Sequence, residues 1–302
     1  MKEILPLITM VIKMSWNTNE NEKEETSFEQ RKQLILNQVL KRNQRDSHFL
    51  CCSITGNPKV GKTGIALDCR TEKEIEEGYK IAVLDFDKGA EPTWSSCWDK
   101  DENIIIFEPV ELNRDGSTNW EESMNNALAF VTFVEEMIES GEKVKAFILD
   151  GVDKLYEGAG DLLRSHLAKS NKRTGQIILE TDSIKVNPLD WKIRNRINDR
   201  ILDMACSLET NRFFITHMKP IYGDIYNPVP VGEVPDWHKS TPARFNQMLH
   251  IVKVKDKGVT TYSATLEASK TNSELVGTSW IVFSTNGDNE WFGIPELREG
   301  NI

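Results

Sequence analysis

The octet Gly56-Asn57-Pro58-Lys59-Val60-Gly61-Lys62-Thr63 matches G-x-x-x-x-G-K-T at every fixed position. Its flanks give it force. The apolar run His48 to Thr55 (HFLCCSIT) reads as a buried strand before it, and the residues from Lys62 read as a helix after it. A strand, a tight glycine loop and a helix N-terminus in that order aim a nest of backbone N–H groups at one point, and such a nest closes on a phosphate. Lys62 is expected to reach the β- and γ-phosphates of a nucleoside triphosphate, and the Thr63 hydroxyl to bind Mg²⁺. The binding loop is taken as Gly56 to Gly64. A chance glycine turn would lack both flanks.

The rest of the chain repeats the theme of short apolar strands separated by helices. Tyr79 to Phe86, Asn103 to Glu108, Val144 to Asp150 and Arg212 to His217 read as further strands. Trp120 to Ser140 reads as a helix with Met124, Leu128, Val131, Val134 or Glu135, and Ile138 on one side. Asp190 to Glu209 carries Ile193, Ile197, Ile201, Met204 and Leu208 on one stripe. This alternation predicts an α/β fold with a mainly parallel sheet flanked by helices. Residues 218–244 hold five prolines and few helix formers, which predicts a long loop. From Asn246 onward MLHIVKV, VTTYSATLEA, SWIVFS and WFGI predict antiparallel strands closing one edge of the sheet. Residues 1–27 are expected to form a flexible arm, residues 28–47 an N-terminal helix, and residues 48–302 the core.

Acids stand where such a sheet opens onto its ligand crevice. Asp150 ends an apolar strand and is the expected magnesium carboxylate, with Asp153 the runner-up. Val83-Leu84-Asp85-Phe86-Asp87 puts two acids past the second strand. Asp87 is the candidate general base for an attacking water, and Asp85 the structural member of the pair. His217, at the end of the fifth strand, is a candidate sensor of the γ-phosphate.

The order of ITGNPKVGKTG, AVLDFDKGAEPTW, AFILDGVDKLYE, DWKIRNRINDRILDMACSLE and FFITHMKP over about residues 48–285 resembles RecA-like P-loop ATPases. Within them it is similar to the compact phage-type nucleotide-binding proteins of single-strand annealing and recombination. The resemblance implies ATP with Mg²⁺ as cofactors and ATP hydrolysis. It also implies a base at Asp87, a magnesium aspartate at Asp150 and a polar sensor at His217. Single-stranded DNA is the implied partner, bound by loops after the fourth and fifth strands, here 154–189 and 218–244. The first offers Arg164, His166, Lys169, Lys172 and Arg173; the second Lys219, Tyr222, Tyr226, Trp237, His238, Lys239 and Arg244. A homo-oligomer is implied as well, with Lys253, Lys255 or Lys270 as the cation a neighbouring copy would lend, and a single-strand-binding protein as a further partner. Two other functions fit the same loop: a nucleotide-gated interaction module with little or no hydrolysis, and a phosphotransferase.

Composition sets the outer limits. A net charge of −10 removes any global basic field, so nucleic-acid contact would have to be local. The five cysteines are odd in number and lack C-x-x-C spacing, which favours buried free thiols over disulfides or zinc. No apolar run approaches the ~20 residues that span a bilayer. Ile4 to Ile12 faintly suggests a signal peptide, but Glu3 and the missing cleavage site argue otherwise, and Met14 is an alternative start. A cytoplasmic setting, off the membrane, is expected.

Overall fold

The computed structural model describes residues 28–43, 48–173, 186–187, 190–223, 229–286 and 290–302. Residues 1–27 and 44–47, among them Arg45, lie outside them. Two compact units divide the chain at His48. The first contains one described helix, α1 (Phe28–Asn43).

The second unit, from Phe49, is organised by strands that are apolar on both faces. These are β1 (Cys51–Gly56), β2 (Lys80–Asp85), β3 (Ile104–Phe107), β4 (Val144–Asp150) and β5 (Asn211–Thr216). Successive residues point to opposite sides of a sheet, so each strand feeds two cores. Ile81, Val83, Ala146, Ile148, Phe213 and Ile215 enter one; Ala82, Leu84, Phe147, Leu149 and Phe214 enter the other. The first core is shared with the short helix α2 (Lys62–Leu67) through Ile65 and Leu67. Two further short helices are α3 (Glu72–Glu76) and α4 (Ala90–Cys97). The second core takes the stripes of α5 (Trp120–Glu139), α6 (Val152–Arg173) and α7 (Trp191–Ser207).

The nine strands run in the order β11-β10-β9-β8-β1-β5-β4-β2-β3. From β8 (Gln247–Asp256) across to β3 every neighbour is parallel. Beyond β8, the strands β9 (Val259–Ser269), β10 (Ser279–Ser284) and β11 (Glu290–Trp291) are antiparallel, and α8 (Pro295–Glu299) follows. The fold is thus the expected mainly parallel α/β sheet with antiparallel C-terminal strands. One detail is corrected. The first C-terminal strand pairs in parallel with β1, because the chain returns across the edge before it begins to meander.

Four further expectations change. Residues 154–173 belong to a 22-residue helix, α6, rather than to a loop. Residues 218–244 are not loop throughout: β6 (Met218–Tyr222) and β7 (Pro230–Pro235) form a two-stranded antiparallel sheet, followed by a 3-10 turn at Thr241–Arg244. The prolines suit it, since a strand edge facing solvent has no ladder donor to lose. The buried stripe of α5 runs through Ser123, Met124, Ala127, Phe130, Val131, Val134 and Met137, leaving Leu128 and Ile138 at its margin. The stripe of α7 runs through Ile197, Ile201, Leu202 and Ala205, with Ile193 and Met204 at the side.

Phe147 is fully buried in central β4 and lies 6.5 Å from the ring of Phe130. Phe147→Ala should lower unfolding stability by about 3–5 kcal/mol, read from the midpoint of urea denaturation. A loss below about 1 kcal/mol would contradict this central packing.

Candidate functional site

Four strand ends meet at one edge of the sheet. They present Gly56 to Thr63 after β1, Asp85 to Asp87 after β2, Asp150 to Asp153 after β4, and Thr216 to His217 after β5. This is the crevice at the carboxyl ends of parallel strands where α/β sheets take ligands. The turn out of β1 needs its first glycine: Gly56 has φ 153°, and a Cβ there would sit 2.5 Å from the Ile251 carbonyl oxygen.

Lys62 begins α2 and folds back beneath the loop. Its Nζ donates to the carbonyl oxygens of Gly56 and Asn57, both at 3.0 Å. Burial pushes its pKa down, against the pull of Asp150, Asp87 and Asp153. Among the described ion pairs it has no carboxylate partner, so its charge stays available to a bound anion. The next residue reaches across the sheet: Thr63 Oγ1 donates to Asp150 Oδ2 at 2.6 Å. Burial pushes the Asp150 carboxyl up to about 7, helped by Asp85 and Asp87, although the Thr63 hydrogen bond works the other way.

Asp85 is fully buried and serves the turn that follows it, accepting from the backbone N–H of Asp87 at 3.0 Å and of Ala90 at 2.8 Å. That fixes Asp87 at the rim. Gly151, with φ 92°, lets β4 pass close by: a Cβ there would lie 3.2 Å from the Asp87 backbone nitrogen. His217 stands between two acids, its Nδ1 3.2 Å from Asp153 Oδ2 and its Nε2 3.5 Å from Asp87 Oδ2. The Asp153 hydrogen bond raises the His217 pKa against burial and the nearby Lys62. Burial opposes ionisation of Asp153, yet the His217 contact holds its carboxyl below the usual range. The sequence left Asp153 as a second choice for metal; the structure puts it behind His217, with Thr216 Oγ1 3.4 Å from its Oδ1.

A cavity of about 1070 Å³ takes in the loop from Pro58 to Gly64 together with Asp87, Asp150, Asp153 and His217. Its other end is aromatic, lined by Trp98, Tyr262, Phe283 and Trp291. Phe283 pairs with both Tyr262 and Trp291 across neighbouring strands, so the three form one row. Trp291 packs on Gly64, where a Cβ would come within 3.1 Å of its ring. Its Nε1 donates to Asp68 Oδ2 at 2.9 Å, and Arg298 grips the same oxygen at 2.6 Å. The sequence reading passed over this wall; its only signal was the aromatic content of SWIVFS and WFGI.

Thr63 and Asp150 fit a hard divalent cation. A hydroxyl and a carboxylate stand side by side, further acids surround them, and the cavity leaves room for water and phosphate oxygens. No group of three or more His, Cys, Asp or Glu cages a metal among the described residues.

The basic residues expected to meet DNA are mostly engaged within the protein. Arg164 pairs with Asp161 at 2.5 Å, Lys219 with Asp236 at 2.7 Å, and Arg244 with Asp199 at 3.1 Å and Asp203 at 2.8 Å. Trp237 is buried against Phe245, and His238 lies 3.2 Å from Asn195 Nδ2. Tyr222 and Lys239 are exposed. Tyr226 and the side chains of Lys169, Lys172 and Arg173 lie outside the described residues. Lys255 and Lys270 are exposed, and Lys253 extends over its own Tyr262 ring at 5.4 Å. All five cysteines are free; Cys51, Cys52 and Cys69 are buried, whereas Cys97 is exposed. No described helix is long and apolar enough to cross a membrane.

The chain matches no protein-family model and no curated protein. Among solved structures it is similar to the KaiC-like protein PH0186 from Pyrococcus horikoshii OT3, at 9% identity over 78% of this chain and 84% of that one, with a TM-score of 0.42. It is also similar to a RadB recombinase, at 13% identity over 82% of this chain and 92% of that one, again with a TM-score of 0.42. The fold class defined here stands on the strand order and the loop after β1.

His217 supplies a pH test. Its raised pKa means that its contribution to stability is complete below the unfolded value near 6.5 and is lost as pH rises through the higher folded value. Between pH 6 and 8 the wild type should lose more stability than His217→Gln, read from melting temperatures. Parallel curves for the two proteins would contradict the pairing with Asp153.

Proposed function

We propose that the chain is a RecA-like ATPase that binds ATP with Mg²⁺ in this cavity and hydrolyses it while acting on single-stranded DNA in recombination, annealing or replication. The observation that carries the catalytic part is the meeting, in one cavity, of the Lys62 loop, the Thr63–Asp150 pair and the Asp87–His217–Asp153 chain.

In this reading the loop from Gly56 to Gly64 wraps the phosphates with its backbone N–H groups. Lys62 turns from the loop carbonyls towards the β- and γ-phosphate oxygens. Thr63 and Asp150 hold Mg²⁺, which when bound stabilises charge on the phosphoryl oxygens. Asp87 orients the attacking water and accepts its proton. His217 keeps Asp87 in place through Nε2, and Asp153 fixes the imidazole through Nδ1. A change at the γ-phosphate therefore reaches the end of β5 through His217, as a sensor requires. The aromatic wall receives the base, with Trp291 as its stacking face. A homo-oligomer remains part of the proposal, with Lys255 or Lys270 offered to a neighbouring copy.

The deciding measurement is ATP turnover with Mg²⁺, with and without single-stranded DNA. Lys62→Ala should lose at least about 100-fold in kcat, and Asp87→Asn about 10²–10⁴-fold. Hydrolysis by Lys62→Ala at the wild-type rate would overturn the reading at its root. Turnover indifferent to DNA, with no binding at low salt, would remove the DNA part.

Trp291→Ala should raise the KM for ATP about 5–20-fold, corresponding to about 1–2 kcal/mol of base stacking, with a smaller effect on kcat. An unchanged KM would place the base elsewhere.

A further inference from the structure

Arg194 differs from the well-anchored arginines of the core. Arg70, Arg164, Arg244 and Arg298 each pair with a carboxylate. Arg194, in the first turn of α7, has none among the described ion pairs. Its guanidinium lies between two rings instead, its carbon 4.2 Å from the centroid of Tyr156 and 4.2 Å from that of Trp191. Nη2 donates to the Tyr156 hydroxyl, and Nε and Nη2 each lie 3.3 Å from Asn195 Oδ1. Nη1 has no partner.

Several acids of these two helices pair with other cations. Glu157 holds Lys154, Asp161 holds Arg164, and Asp199 holds Arg244. Burial works against the Arg194 charge, and Arg164 adds repulsion. Lys192 and Arg196 are exposed on either side. A cation held between aromatic rings, with no carboxylate among the described ion pairs, is suited to a phosphodiester with an adjacent base, because Nη1 can reach a phosphate oxygen while a half-buried indole offers a stacking face.

We infer that Arg194, Trp191 and Tyr156 form a docking platform for single-stranded nucleic acid, wired to the nucleotide cavity. The inference rests on the single-strand reading above and assigns it a place other than the engaged basic residues. Arg194 takes a backbone phosphate, and Trp191 takes the neighbouring base. Tyr156 holds the guanidinium and stands three residues after Asp153, the partner of His217, on the first turns of α6. The segment Asp236 to His238 makes a second link. The Asp236 N–H donates to the His217 carbonyl at 2.8 Å, and the His238 ring lies 5.9 Å from that of Tyr156. The platform and the Asp87–His217 pair thus hang on the same two segments.

The test uses the full chain and a fluorescein-labelled 30-mer of dT, with oligo(U) as a second arm, by anisotropy across a salt series. Arg194→Ala and Trp191→Ala should each weaken binding at least tenfold. Arg194→Ala should also flatten the salt slope by about one counterion, and the ratio of ATP turnover with and without oligonucleotide should fall towards one. Arg194→Lys, which keeps the charge without the stacked fork, should recover part of the salt slope but not the affinity. Its circular dichroism spectrum, matched to wild type, separates this result from misfolding. If the wild type binds and all three variants bind as tightly, the platform is wrong while single-strand binding stands. If the wild type binds neither strand, both fall. If binding depends on Arg194 but ATP is not hydrolysed, the platform holds and the ATPase reading fails.

Discussion

The hydrogen bond from Thr63 to Asp150 is the contact on which the site depends. It joins the first residues after β1 to the last residue of β4, although β5 lies between those strands. The two side chains meet only if three strands keep register, with Ile54 beside Ile215 and Ile215 beside Asp150. A slip of one residue in β4 would turn Asp150 into a core and bring Leu149 towards Thr63. The apolar alternation of β4 and β5 resists that slip, since each residue is committed to one of two cores. The packing of Phe147, Phe213 and Phe214 is therefore also what aligns the polar edge. The cost of holding a carboxylate out of water is borne there, and a cation at the same spot would offset it.

How much of this could be read beforehand depended on whether the signal was local. Gly56 to Thr63 is a contiguous motif whose flanking strand is almost wholly apolar, so both its place and its shape were legible. Asp85, Asp87, Asp150 and His217 were legible as candidates because each ends or follows a strand recognisable by itself. The helix α6 was missed although Val152, Leu155, Ala159, Leu162 and Leu163 mark its buried side, because Gly158, Gly160 and the charges between them dilute the pattern. The aromatic wall was not legible at all. Tyr262, Phe283 and Trp291 become neighbours only through the register of β9, β10 and β11, and no spacing in the chain announces it. The same holds for Asp153, whose role follows from where β5 delivers His217.

Charge illustrates the difference between an inventory and an arrangement. A total of −10 counted against any phosphate-binding surface. In three dimensions many acids are consumed locally, by Arg70, Arg164, Arg244 and Arg298. Several basic residues singled out from the sequence are neutralised in the same way. Arg194 has no carboxylate among the described ion pairs and lies against two aromatic rings instead. Surface potential at that scale is set within about a Debye length of ~8–10 Å, so net charge says little about it.

The hairpin of β6 and β7 carries the argument one step further. Its strands are largely exposed, with Ile221, Tyr222 and Val231 facing solvent, so little apolar burial fixes its position. Polar contacts do that instead, and they converge on the cavity. Asn57 of the phosphate loop donates to Glu233 at 2.9 Å, Thr216 donates to the Asp236 carbonyl at 3.0 Å, and the Asp236 N–H donates to His217. Such bonds contribute about 0.5–1.5 kcal/mol each. A ligand that competes for Asn57 or shifts His217 acts on terms of the same size as those holding the hairpin. An element anchored by a deep apolar core would be insensitive to such changes; this one is balanced against the loop and the β5 end directly. The position of β6 and β7 is thus set by polar contacts with the loop after β1 and the end of β5, because the hairpin buries little of its own apolar surface.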